Sequence, residues 1–64
     1  MKRQPVFEVW KNAAGEWQWH LKAGNGEIQA AGEGYKRRSG AIKGAETCRR
    51  NAAFANVVVL EPTP

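Results

Sequence analysis

The stretch GEWQWHLKAGNGE, residues 15–27, decides the fold. Trp17, Trp19, Leu21 and Ala23 alternate with Gln18, His20 and Lys22, the period of two expected of a strand with one buried face. Asn25-Gly26 predicts a two-residue type I′ hairpin turn, because both turn positions need a positive φ that Asn and Gly tolerate. The chain then returns over residues 27–35, EIQAAGEGY. Upstream, residues 6–11, VFEVWK, are rich in β-branched and aromatic side chains and read as a strand. Asn12-Ala13-Ala14-Gly15 joins the two strands as a turn in which Gly15 takes the left-handed position.

These turns predict a register. A two-residue turn sets Ala23 opposite Ile28, Leu21 opposite Ala30, Trp19 opposite Gly32 and Trp17 opposite Gly34. Large meets small along this face, with each indole covering the backbone that a facing glycine leaves bare. The first hairpin sets Phe7 opposite Leu21, Val9 opposite Trp19 and Lys11 opposite Trp17. Phe7, Val9, Trp17, Trp19, Leu21 and Ile28 then form one apolar face. Glu8, Trp10, Gln18, His20, Lys22, Gln29, Ala31, Glu33 and Tyr35 form a mostly polar one.

After Tyr35 the spacing predicts a helix over residues 39–51, with Ser39 as N-cap. Ala41, Ile42, Ala45, Cys48 and Ala52 make its apolar stripe. Gly40 and Gly44 each weaken it by about 1 kcal/mol relative to Ala. The run Asn56-Val57-Val58-Val59-Leu60 is too short for a helix; an apolar run of this kind is a strand covered on both faces or met by another chain. Three strands, a helix and a strand predict the α+β class, with an antiparallel meander packed on one helix. Residues 1–5 and 61–64 fall outside this unit and are expected to be flexible.

A 64-residue chain buries too little surface for a comfortable core and needs a supplement. One cysteine excludes an internal disulfide, and one cysteine with one histidine cannot form a four-ligand zinc site. Oligomerisation remains. The net charge of +4 and pI near 9.7 permit a polyanionic partner without requiring one. Nothing in the chain is long and apolar enough to span a membrane, the opening residues are not a secretory signal, and a lone thiol fits the cytoplasm.

Phe7-Glu8-Val9-Trp10-Lys11, Ala14-Gly15-Glu16-Trp17, Leu21-Lys22-Ala23-Gly24-Asn25-Gly26-Glu27, Gly32-Glu33-Gly34-Tyr35 and Arg49-Arg50-Asn51-Ala52 together resemble the YegP-like family of small, mostly bacterial domains of unknown function. The resemblance covers residues 6–60. It implies a β-β-β-α-β unit that is completed by a second unit, the two sharing a sheet and exchanging C-terminal strands. With one unit per chain, it implies a homodimer whose interface includes Val57, Val58, Val59 and Leu60. Ala45 and Cys48 stand where the family usually has bulkier aliphatics, so a looser helix contact is expected. The family brings no catalytic residues to this chain.

Among candidate sites, Trp17 and Trp19 could stack nucleobases, but the register assigns them to the core. Trp10 lies on the polar face, where an exposed aromatic suits a ligand or protein contact. His20 falls opposite Glu8. The pair is half of a catalytic triad with no nucleophile beside it, since Ser39 is assigned as a cap and Cys48 to the buried stripe. Lys36, Arg37 and Arg38 at the helix start make the best anion site. Gly24-Asn25-Gly26 and Gly32-Glu33-Gly34 lack the further residues of a phosphate-binding motif, so no cofactor is expected. The resulting expectation is a cytoplasmic, non-enzymatic, homodimeric binding module of unknown target. The alternative is nucleic-acid binding through Lys36, Arg37, Arg38 and Trp10.

Overall fold

In the computed structural model, β1 (Val6–Lys11), β2 (Trp17–Lys22) and β3 (Ile28–Tyr35) form an antiparallel sheet in the order β1-β2-β3, and α1 (Arg38–Phe54) covers one face. This is the expected α+β meander on one helix. The structure describes residues 4–61, so the expectations for residues 1–3 and 62–64 lie outside it. Among the described residues no fourth strand forms within the single chain. The run from Asn56 to Leu60 carries no regular structure and is exposed throughout.

Both hairpin loops close in the same way. The Asn12 N–H donates to the Glu16 carbonyl (2.8 Å) and the Gly15 N–H to the Asn12 carbonyl (3.0 Å); Ala23, Gly26 and Glu27 repeat the pattern at 2.8 and 2.9 Å. Gly15 and Gly26 have φ of 84° and 92°, and among the described residues no non-glycine has a positive φ. The first loop is as expected. The second is not a type I′ turn, because Asn25 would then need a positive φ as well. It is a three-residue loop, Gly24-Asn25-Gly26, with its glycine in the left-handed third position. The Asn25 side chain supports it by accepting the Glu27 N–H at 3.0 Å.

That one-residue difference moves Ile28. It pairs with Lys22 rather than Ala23, and an irregularity at Gln29 then restores the expected Leu21–Ala30 and Trp19–Gly32 pairs. A second bulge, Glu33-Gly34 with Gly34 at φ 80°, brings Tyr35 opposite Trp17. Three expectations are corrected. Ile28 joins the polar face and is half exposed, Tyr35 turns inward to the core, and Trp17 faces Tyr35 rather than Gly34. The β1–β2 register agrees at Phe7–Leu21, Val9–Trp19 and Lys11–Trp17.

The helix starts before Ser39. Arg37 is the N-cap, since its carbonyl accepts the Gly40 and Ala41 N–H groups at 3.1 and 3.2 Å, and no side chain caps the end. Ser39 therefore sits in the first turn and is not the cap. The helix also runs to Phe54 rather than 51.

Packing follows a division of volume: the sheet supplies bulk and the helix supplies small residues. Trp19, Ala41 and Ala45 are buried, with Phe7, Val9, Trp17, Ala30, Tyr35 and Cys48 around them. Trp19 lies on Gly32 so closely that a Cβ there would fall 2.7 Å from its Cε2, which bears out the glycine-covering role. Trp19 Nε1–H donates to the Tyr35 hydroxyl at 3.1 Å. That hydroxyl sits against Gly44, which has no Cβ to obstruct it. The glycine that weakens the isolated helix thus lets it approach the sheet.

Candidate functional site

The helix covers the inner face, so the side chains with unassigned duties lie on the outer one. The register arranges them in rows: Val6, Lys22 and Ile28; then Glu8, His20 and Ala31; then Trp10 and Gln18, with Glu33 in the bulge opposite. His20 Nε2 stands 2.7 Å from Glu8 Oε1, and Lys22 Nζ stands 3.3 Å from the same oxygen. The His20 hydrogen bond first, and Lys22 second, hold the Glu8 carboxyl below the ordinary glutamate range. Trp10 leans on His20 with ring centroids 4.6 Å apart and planes tilted by 60°. Trp10 is therefore half-buried rather than the freely exposed aromatic expected. Gln18 is held by Asn12, whose Nδ2–H donates to its Oε1 at 2.8 Å.

Beyond His20 the face sinks. Ala31 and Gly32 supply little volume, and a hollow of about 300 Å³ opens between Trp10, Gln18 and His20 on one side and Ile28 and Glu33 on the other. Sequence reasoning missed this hollow because it placed Ile28 inside. The available signal was Gly26, which can take the left-handed third position of a three-residue loop as Gly15 does, and so fits that loop as well as the two-residue turn.

The His20–Glu8 pair stands on the face opposite the helix that carries Ser39 and Cys48, so neither is brought to it. Among the described residues, no group of three His, Cys, Asp or Glu side chains could hold a metal. Lys36 and Arg37, between β3 and α1, and Arg38, the first residue of α1, are exposed. The Lys11–Trp17–Tyr35 row puts them at the same end of the sheet as Lys11 and one row from Trp10. Strand spacing separates that corner from β1 by about 10 Å.

A second feature flanks β1, an edge strand. Phe7 and Val9 from the strand and Ile42, Ala45, Glu46 and Arg49 from the helix line a cleft of about 150 Å³. Val57, Val58, Val59 and Leu60 are 95, 70, 77 and 88% exposed.

Residues 12–58, spanning both hairpin loops, the bulged strand, the helix and the first part of the terminal run, match a family model described as "Domain of unknown function (DUF1508)". The chain belongs to the DUF1508 family. A UPF0339 protein of Treponema denticola is 44% identical over 81% of this DUF1508 chain and 90% of its own length. One from Methanosarcina acetivorans is 42% identical over 86% and 95%. An NMR solution structure of a Haloferax volcanii protein superposes with a TM-score of 0.75 and 39% identity, covering 91% of this chain and 98% of that one. The YegP-like resemblance is thereby borne out, and archaeal relatives extend the family beyond bacteria. Among the described residues no helix is long and apolar enough to cross a membrane.

Proposed function

We propose that this DUF1508 chain is one half of a homodimeric, non-enzymatic interaction module of the cytoplasm, in which Val57–Leu60 of each protomer adds to the partner's sheet at the β1 edge. The observation that carries it is four consecutive apolar residues standing in solvent, in a fold whose described residues leave the β1 edge unpaired and a largely apolar cleft open between β1 and α1. Ala55 leaves the helix extended, at φ −74° and ψ 139°, instead of reversing the chain over its own sheet. Burying four Val or Leu side chains contributes roughly 6–12 kcal/mol per segment as an upper figure. Two exchanged segments offset an association cost of about 4–15 kcal/mol. The separation of the Glu8–His20 pair from Ser39 and Cys48 supports a non-enzymatic role, and the unpaired Cys48 thiol suits a reducing compartment.

Sedimentation at micromolar concentration tests the assembly. Twice the 7.1 kDa chain mass is expected, with Val58→Asp shifting it toward the single chain. A folded wild-type monomer at that concentration would overturn the proposal.

A nucleic-acid reading is favoured by one arrangement: Lys11, Lys36, Arg37 and Arg38 share a sheet end one row from Trp10. Titration of labelled single and double strands at two salt concentrations tests it. Phosphate contacts release counterions, so binding must weaken steeply with salt, and salt-independent or absent binding rejects it.

A further inference from the structure

We infer that the hollow on the outer face of the sheet receives the guanidinium of an arginine side chain from a protein partner. Three observations converge on it. First, β3 carries two irregularities in eight residues, and the one at Gln29 turns Ile28 outward to the wall of the hollow, where Glu33 also lies. Bulges commonly re-aim side chains at functional surfaces. In the evenly paired strand, Ile28 would have faced the helix and added to a small core; here it is 52% exposed.

Second, the charges are unequally committed. Glu8 already receives His20 and Lys22 on one oxygen. Among the ion pairs of the described residues none involves Glu33, so the carboxylate available at the hollow is Glu33. The complementary occupant is a cation.

Third, the opposite wall is an indole. Cations are drawn to aromatic faces, and a guanidinium both stacks flat on a ring and offers a fork to a carboxylate, which a lysine ammonium does not. Trp10 on β1 and Glu33 on β3 stand two strand spacings apart, about 10 Å, with Gln18 between them. A long, flat side chain spans that gap. A hollow near 300 Å³ lies at the small end of ligand pockets and matches one side chain rather than a cofactor.

The inference rests on the chain being a binding module but not on its being a dimer. Its test is a ¹⁵N NMR titration of the wild-type protein with N-acetyl-arginine methylamide, using the lysine analogue for comparison. The Trp10 indole N–H and the Ala31 and Glu33 amides should shift together and saturate, with the lysine analogue binding more weakly. Glu33→Gln should lower affinity about two- to fivefold, as expected for an exposed ion pair. Trp10→Ala should lower it by a similar factor, and Trp10→Phe, which keeps a ring against His20, by less. Thr47→Ala on the exposed side of the helix should change nothing. Equal binding of both analogues, undiminished binding by Glu33→Gln, or shifts no larger here than around Thr47 would overturn the inference. Sedimentation of the same samples keeps the two ideas apart. A dimer that ignores the arginine probe sinks only the guanidinium site, and a monomer that binds it sinks only the assembly.

Discussion

Alanine at Gly40 and alanine at Gly44 should move stability in opposite directions, although the two glycines lie one helical turn apart on the same face. Each substitution removes the flexibility of glycine in a helix, a gain of about 0.5–1 kcal/mol. At Gly40 the new methyl would sit 3.6 Å from Tyr35 Cδ1, an ordinary contact, so the gain survives. At Gly44 it would land against the Tyr35 hydroxyl, 2.8 Å from Cζ and 3.1 Å from Trp19 Nε1. Neither neighbour can yield freely. The hydroxyl accepts the Trp19 N–H, and the indole itself lies on Gly32. Overpacking of this kind costs about 1–3 kcal/mol, and the strained hydrogen bond about 1 more. Gly44→Ala should therefore destabilise by roughly 1–3 kcal/mol net while Gly40→Ala stabilises by up to about 1. Adding Tyr35→Phe to Gly44→Ala removes the nearest atom and should cost less than the sum of the two single changes. Urea unfolding followed by circular dichroism at one fixed protein concentration measures all four. Equal stabilisation by both alanines would show that the helix does not rest on Tyr35, and the packing described for it would be wrong.

Gly34, at φ 80° with open space around it, should lose about 1–2 kcal/mol on change to Ala through backbone strain alone, and less on change to Asn, in thermal melts. Glu8 supplies a pH dependence. Its carboxyl is held below the ordinary value, so its contribution is fully present above the ordinary glutamate range and is lost as pH falls through that range to the lower native value. Urea midpoints from pH 6 down to 3 should accordingly fall less in Glu8→Gln than in wild type; parallel curves would remove the role given to His20 and Lys22.

The parts legible from sequence are those set by local pattern. Strict alternation and the Gly15 turn set the register of the first hairpin, and the Trp19–Gly32 pair expected from a two-residue second turn is met only because the irregularity at Gln29 offsets the longer loop. What escaped were choices between nearly equal local solutions. Gly24-Asn25-Gly26 satisfies both a two-residue and a three-residue loop, and the difference is one residue of register. Gly34 looked like a glycine for an indole to cover, but its positive φ serves a bulge that swings Tyr35 inward. Ser39 has the right side chain for a cap, yet the chain leaving Tyr35 reaches helical geometry two residues sooner, with Arg37 as the acceptor. At the site, the Glu8–His20 pair followed from register, whereas the hollow depended on where the β3 irregularities fell.

Those irregularities exchange one side chain for another across the sheet, and the exchange is informative because the protein has little core to spare. Tyr35 enters beneath the helix, where its hydroxyl ties Trp19 to the position of Gly44. Ile28 leaves, forgoing part of the roughly 1.5–3 kcal/mol that burying it would contribute. An evenly paired strand would have kept Ile28 inside. Stability alone accounts for the second bulge, which adds an aromatic to the core, but not for the first, which only removes an isoleucine from it. Selection for a surface explains the first bulge, because its product is the wall of the hollow that faces Trp10. The inner face is governed by volume, with each bulky sheet residue answered by a small one on the helix or the neighbouring strand. The outer face obeys no such rule: an isoleucine, an indole and a carboxylate ring two small residues, with no helix over them.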